Sequence, residues 1–220
     1  MPSEAEAPAA GSRSRKGAAT RVRLLDAARL VFEDTGFLDA RISDIAERAG
    51  LSHGSFYHYF DSKEQIFREV AEAQEAMLTA PPSPEERNAD EAVSSEYERV
   101  LRANRRYLQR YRDNAKIMGV IEEVSRYDAI VNEARARRQK HFADRAEAAI
   151  KRMQGDGSAD SGIDAEIASV ALGAMVARFA ELWLVEDWSA YDFDRAAEQL
   201  TRLWANAIGI DVPPAKKRKR

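Results

Sequence analysis

Arg41-Ile42-Ser43-Asp44-Ile45-Ala46-Glu47-Arg48-Ala49-Gly50-Leu51-Ser52-His53-Gly54-Ser55-Phe56-Tyr57-His58-Tyr59-Phe60 is the stretch on which the fold turns. It reads as a short helix from about Ser43 to Ala49, a glycine turn, and a second short helix capped by Ser52 and running to about Phe60. Ile45, Ala46 and Ala49 make the buried side of the first piece, and the two alanines are small enough for a steep, close helix crossing. Phe56 and Phe60, four apart, anchor the second piece on a core. Its other face carries Ser52, His53, Ser55, Tyr57, His58 and Tyr59. Hydroxyls and flat hydrogen-bonding rings of this kind can reach base edges and phosphates in a major groove. Five ring residues in a row cannot all be buried on one short helix, so Tyr57, His58 and Tyr59 need a role other than core.

Outward from this stretch the pattern is all-α, with no strand alternation and no internal repeat. A first helix runs from about Arg21 to Asp34, with Leu24, Leu25, Ala28, Val31 and Phe32 on one side, and Gly36-Phe37 reads as its left-handed stop. Ser62-Lys63-Glu64-Gln65 is a capping box opening a fourth helix to about Leu78. Ser83-Pro84-Glu85-Glu86 restarts the chain as a helix to about Arg112, with Val93, Tyr97, Val100, Leu101, Leu108 and Tyr111 inward. Further helices are predicted near 115–126, 129–152, 163–186 and 193–208, about nine in all. Gly209 and Pro213-Pro214 end the fold. The domains expected are a disordered arm at 1–17, a helix-turn-helix domain at 18–66, a larger helical domain at 67–211 and a basic tail at 212–220.

Composition narrows the function classes. With 45% hydrophobic and 32% charged residues the chain can bury a core in amphipathic helices. No uninterrupted run of about 18 apolar residues points to a bilayer span, and Met1 to Gly17 lacks the apolar core of an export signal. The absence of cysteine excludes thiol nucleophiles, disulfides and cysteine metal sites, and suits the cytoplasm. No nucleophile elbow, Walker loop or Rossmann glycine pattern is present, so no enzyme and no cofactor is expected. The net charge of −3 does not itself announce nucleic acid, and residues 1–65 carry nine bases against ten acids. Affinity must come from where charges are placed: the arm with Arg13, Arg15, Lys16, Arg21 and Arg23, or the tail Lys216 to Arg220, can anchor phosphates or can be a solvated tail.

The decisive stretch resembles the DNA-binding domain of the tetracycline-repressor (TetR) family. Asp44-Ile45-Ala46, Ala49-Gly50-Leu51-Ser52, Gly54, Phe56 to Phe60 and Ser62-Lys63-Glu64 match the family's wording, as do Leu24-Leu25-Asp26-Ala27-Ala28 and Thr35-Gly36-Phe37. The match covers about residues 20–66. The resemblance implies three N-terminal helices on DNA, six helices for effector sensing, and a homodimer through a bundle of the last two helices. By position it implies that Ser52, Ser55 and Tyr57 contact phosphate or bases, that His58 and Tyr59 flank the groove, and that Lys63 holds a phosphate. The DNA-contact set read from the residues and the resemblance together is Arg41, Ser43, Ser52, His53, Gly54, Ser55, Tyr57, His58, Tyr59 and Lys63. Arg41 is a departure, standing where the family usually has a capping Thr or Ser; it leaves the start of the second helix open and could itself reach a phosphate.

In the larger domain Tyr107, Tyr111, Met118, Ile121, Phe142, Met175, Phe179 and Trp183 are the residues from which a pocket for a hydrophobic or amphipathic effector is expected, most of them being core on any reading. Arg99, Arg102, Arg106 and Arg110 line one helical face, and Arg135, Arg137, Arg138 and Lys140 form another cluster; either is a solvated face or a site for an anionic head group such as an acyl-CoA phosphate. Ala165, Ala168, Ala171, Gly173 and Ala174, with Leu200, Leu203, Trp204 and Ile208, suit close helix approach in a dimer or within one subunit. The three histidines are too scattered for a metal site, and the loop Asp156–Asp164 departs from a calcium loop at Ser161 and Ile167. The expected function is a sequence-specific transcriptional regulator, a repressor released from an inverted-repeat operator by a small effector. Activator, effector-independent and protein-interaction readings stand as alternatives.

Overall fold

The computed structural model describes residues 10–91 and 95–214. Among them every regular element is a helix: α1 Ala10–Asp39, α2 Ile42–Arg48, α3 His53–Phe56, α4 Lys63–Thr79, α5 Pro84–Glu91, α6 Glu96–Asp113, α7 Ala115–Val124, α8 Ala129–Gly155, α9 Ala165–Leu184 and α10 Phe193–Ala207. The layout is the one read from the sequence, with one boundary added between α5 and α6. There Ser95 accepts a hydrogen bond from the Glu98 N–H at 3.2 Å. Ser95-Glu96-Tyr97-Glu98 is itself a capping-box pattern that could have announced the break. Val93 lies outside the described residues, as do residues 1–9 of the arm and Lys216 to Arg220 of the tail.

Within the stretch expected as a disordered arm, α1 starts at Ala10 and runs on through Ala18-Ala19. The Thr20 hydroxyl donates to the backbone carbonyl of Lys16 at 2.9 Å, and of the arm's bases Arg21 pairs with Glu69 on α4 and lies 4.7 Å from the Phe60 ring centre.

Two glycines turn the chain where a side chain would be strained. Gly36 at φ 74° breaks α1 before Phe37, and Gly50 at φ 68° ends α2 so that the Leu51 N–H reaches back to the Ala46 carbonyl at 2.9 Å. Phe37 then packs with Phe32 and Phe67, the latter with ring centres 4.9 Å from each. This places α2 and α3 against α1 and the start of α4 as one closed head with Leu24, Phe32, Ile45, Phe56 and Phe60 at its centre.

The remaining helices form the larger domain. α8 packs between α4 and α9, α6 between α9 and α10, and α1 also touches α7. Asn104 on α6 donates to the Thr201 hydroxyl on α10 at 3.0 Å inside the core. α9 is long and apolar enough to cross a membrane by length and composition, although its sequence is interrupted by Arg178 and Glu181; here it is a helix of the bundle with exposed apolar residues at Ile167 and Ala171 and, towards the cavity mouth, Val170.

Candidate nucleic-acid interface and internal cavity

The outward face of the head is built by caps rather than by burial. Ser52 stands in extended backbone before α3 and accepts from the Ser55 N–H at 3.3 Å, while the two serine hydroxyls lie 2.7 Å apart. One helical turn and a continuing turn through Tyr59 follow, so the recognition element is shorter than the span to Phe60 read from the sequence. Phe56 and Phe60 are buried as expected. Ser52, His53, Gly54, Tyr57 and His58 are exposed, and Ser55 is half-buried beside them. Tyr57 is 49% exposed, with its ring edge-on to both His53 and Phe56, which holds it upright without covering it. Arg41 and Ser43 are exposed at the start of α2; Arg41 is the N-cap residue but makes no side-chain cap, and Ser43 donates to Asp44 at 3.0 Å. Tyr59 is half-buried on the core.

Lys63 is placed differently from the phosphate contact expected of it. Its ammonium donates to the carbonyls of Phe37, Leu38 and Ala40 at 2.8, 3.0 and 3.0 Å, and lies 4.7 Å from the Phe37 ring centre. An ammonium has three protons, and these acceptors use all three. Lys63 therefore latches the start of α4 onto the chain that leaves α1.

In the larger domain a cavity of about 1060 Å³ lies among α4, α6, α8, α9 and α10. Leu78, Thr79 and Ala80 at the end of α4 form part of its wall. Of the eight large residues expected to line a pocket, Tyr107 and Phe142 do. Tyr111, Met118 and Ile121 instead fill the core completely, and Phe179 and Trp183 stack with Tyr191 beside the core. Met175 packs between the two core clusters. The physical reason is volume: large side chains occupy space, and the void opens where small ones leave it, at Ala103, Ala143, Ala146, Ala149, Gly173 and Ala177. Gly173 and Ala174 thus belong to the cavity wall, while Leu200, Trp204 and Ile208 are buried within their own subunit and Leu203 points out.

The arginine clusters are mostly engaged. Arg106 pairs with Asp90 at 3.1 Å, and Arg110 caps the end of α4 by donating to the Ala80 carbonyl at 2.6 Å. Arg138, read as part of a cluster on a helix face, is one of the most buried residues, at 4% exposure. It closes a ladder of ion pairs from α4 to α8: Arg68 with Asp128 at 2.9 Å, Glu72 with Arg137, and Glu75 with Arg138 at 3.0 Å. The spacing of four then three puts Arg68, Glu72 and Glu75 on one face of α4. The first two rungs are exposed to solvent to some degree and the third is sealed. Around it, Glu122 on α7 pairs with Arg135 and lies 3.9 Å from Arg138. Burial pushes the Glu75 and Glu122 carboxyls above the usual range against the pull of these arginines, and burial likewise raises the Tyr107 and Tyr111 phenols.

The model for the tetR family of bacterial regulatory proteins matches residues 24–70, which spans the whole described helix-turn-helix and the first turns of α4. Over these residues the chain is similar to the TetR family of bacterial regulators. An uncharacterised HTH-type transcriptional regulator YdgC of Bacillus subtilis is 51% identical over 55 residues, 25% of this chain and 28% of that protein. The HTH-type transcriptional repressor KstR2 of Rhodococcus jostii is 44% identical over 50 residues, 23% of this chain and 24% of that protein. The chain thus matches only about a quarter of the length of these curated relatives. Solved structures cover the rest as fold alone. A putative transcriptional regulator from Saccharomonospora viridis in complex with choline has a TM-score of 0.72 at 18% identity, over 87% of this chain and 98% of that one. FadR from Bacillus subtilis in complex with stearoyl-CoA has a TM-score of 0.67 at 16% identity, over 85% and 98%. One TetR-like fold therefore accommodates ligands as different as choline and stearoyl-CoA in those two proteins.

Proposed function

We propose that this TetR-family regulator is a homodimeric repressor that binds an inverted-repeat operator and is released from it by a small hydrophobic or amphipathic effector held in the cavity. The observation that carries the reading is the course of α4. Its first residue latches the DNA-binding head through Lys63, and its last turn, Leu78 to Ala80, forms cavity wall. A ligand that prefers one placement of α4 therefore shifts the population of head placements by its differential affinity. Exposed Ser52, His53, Tyr57 and His58, with half-buried Ser55 beside them, supply groove contacts, with Arg41 and Ser43 near the backbone. The apolar outer face of α9, where Ile167 is 69% and Val170 58% exposed, supports a dimer through the last two helices. Two such heads read two half-sites a helical turn or more apart. A cytoplasmic location goes with that role.

The test is selection of bound duplexes from a random pool by the full chain at near-physiological salt, repeated with Tyr57→Ala. Enrichment of one inverted repeat by the parent protein, and its loss in the variant while sedimentation still shows a dimer, is the expected result. A variant that enriches the same repeat equally well would remove α3 from the reading.

A further inference from the structure

Arg138 belongs to two places at once: it lines the cavity, and it sits in the sealed ion network that ties α4 to α7 and α8. Its Nη1 has no hydrogen-bond partner, and neither has the hydroxyl of Tyr107, a second buried residue of the same wall. A guanidinium offers five N–H donors in a planar fork that fits a carboxylate edge. Its present partner meets it poorly. Glu75 stands 3.0 Å from Arg138 Nε, yet neither oxygen of Glu75 accepts an aligned hydrogen bond. A half-satisfied buried network of this kind is costly and open to a better acceptor. Beside the charged residues of its wall, the cavity is lined by Phe142 and by the small residues Ala143 and Ala177, which leave room for a hydrocarbon body.

Resting on the effector reading above, we propose that the cavity takes an apolar molecule bearing a single carboxylate, which docks on Arg138 and Tyr107 and draws Arg138 away from Glu75, unfastening the buried rung between α4 and α8. Charge favours a monoanion. Two glutamates and two arginines make the network neutral, and a dianionic phosphate would bury a second uncompensated charge. Burial already pushes Glu75 upward, so it can become neutral once Arg138 turns to the ligand. Of the other two rungs, Glu72–Arg137 is solvent-exposed and holds α4 weakly, and Arg68–Asp128 is partly exposed. Loss of the sealed rung therefore frees the helix that carries the head.

The experiment is calorimetric titration of the full chain with dodecanoate below its micellar concentration and with 1-dodecanol, alongside operator affinity by fluorescence anisotropy. Dodecanoate is expected to bind about tenfold more tightly than the alcohol, the scale of one charge-assisted hydrogen-bond pair. Arg138→Met is expected to erase that preference. Because that variant leaves two glutamates buried and can unfold, Glu75→Gln is the second arm. It is expected to bind dodecanoate about tenfold more tightly than the parent and to hold operator more weakly even without ligand. Equal binding of acid and alcohol by the parent, or unchanged dodecanoate affinity in Glu75→Gln, would overturn the carboxylate site and leave an uncharged apolar effector standing. Failure of both probes to bind would overturn the site and the apolar-effector reading together.

Discussion

The head and the larger domain solve packing in opposite ways. In the head, Phe67 meets Phe32 and Phe37 edge-to-face while those two stack, Ala46 and Ala49 let α2 sit close, and Lys63 satisfies three carbonyls left open by the turn at Gly36. In the larger domain small residues face each other across about 1060 Å³, and buried polar atoms of Arg138, Tyr107 and Glu75 go without hydrogen bonds. A reader of DNA needs one rigid arrangement, whereas a sensor needs a gap and a network that a ligand can complete. The difference also accords with a family match that ends at residue 70 while the likeness of fold continues over 87% of the chain.

The comparison breaks most visibly at Phe67. Phe67→Ala removes the ring that touches both Phe32 and Phe37 and is expected to cost about 3–5 kcal/mol in chemical denaturation; a loss under about 1 kcal/mol would mean the head is not closely packed. Lys63→Met should cost about 1.5–3 kcal/mol, because three carbonyls lose a charged donor. If it instead weakens operator binding with no change in melting, Lys63 is a phosphate ligand after all. Added volume sharpens the contrast. Ala46→Leu, in the closed crossing, should destabilise by about 1–3 kcal/mol, whereas Ala143→Leu, in the cavity wall, should be tolerated and lower probe uptake. Equal penalties at the two sites would show that the cavity closes in solution. The smallest effect is at Ser52→Ala, about 1 kcal/mol from the lost cap of α3, readable as a modest drop in melting temperature.

The head was legible because its determinants are local. Gly36, Gly50, Ser52 and the Ser62–Gln65 box act on neighbours within a few residues, and the periodicity of Phe56 and Phe60 names the buried side. The latch made by Lys63 was not legible because its acceptors lie at Phe37 to Ala40, some 25 positions back along the chain. The cavity was misplaced for a different reason. A void is defined by what is missing, and alanines on α6, α8 and α9 reveal nothing until the helices are put side by side. Arg138 could not be told from Arg137 in sequence, yet one is sealed and the other largely exposed, since α8 turns by about 100° between them.

The central proposal is that α4 transmits the state of the cavity to the head, and in the proposed dimer the inter-head distance reads it directly. The chain has no cysteine, so Asp26→Cys on the exposed side of α1 gives one spin label per protomer. Double electron–electron resonance on this variant, with and without Glu75→Gln, compares the fastened and unfastened rung. A single narrow distance that shifts or broadens in Glu75→Gln is the predicted result. Superimposable distance distributions would contradict transmission through α4.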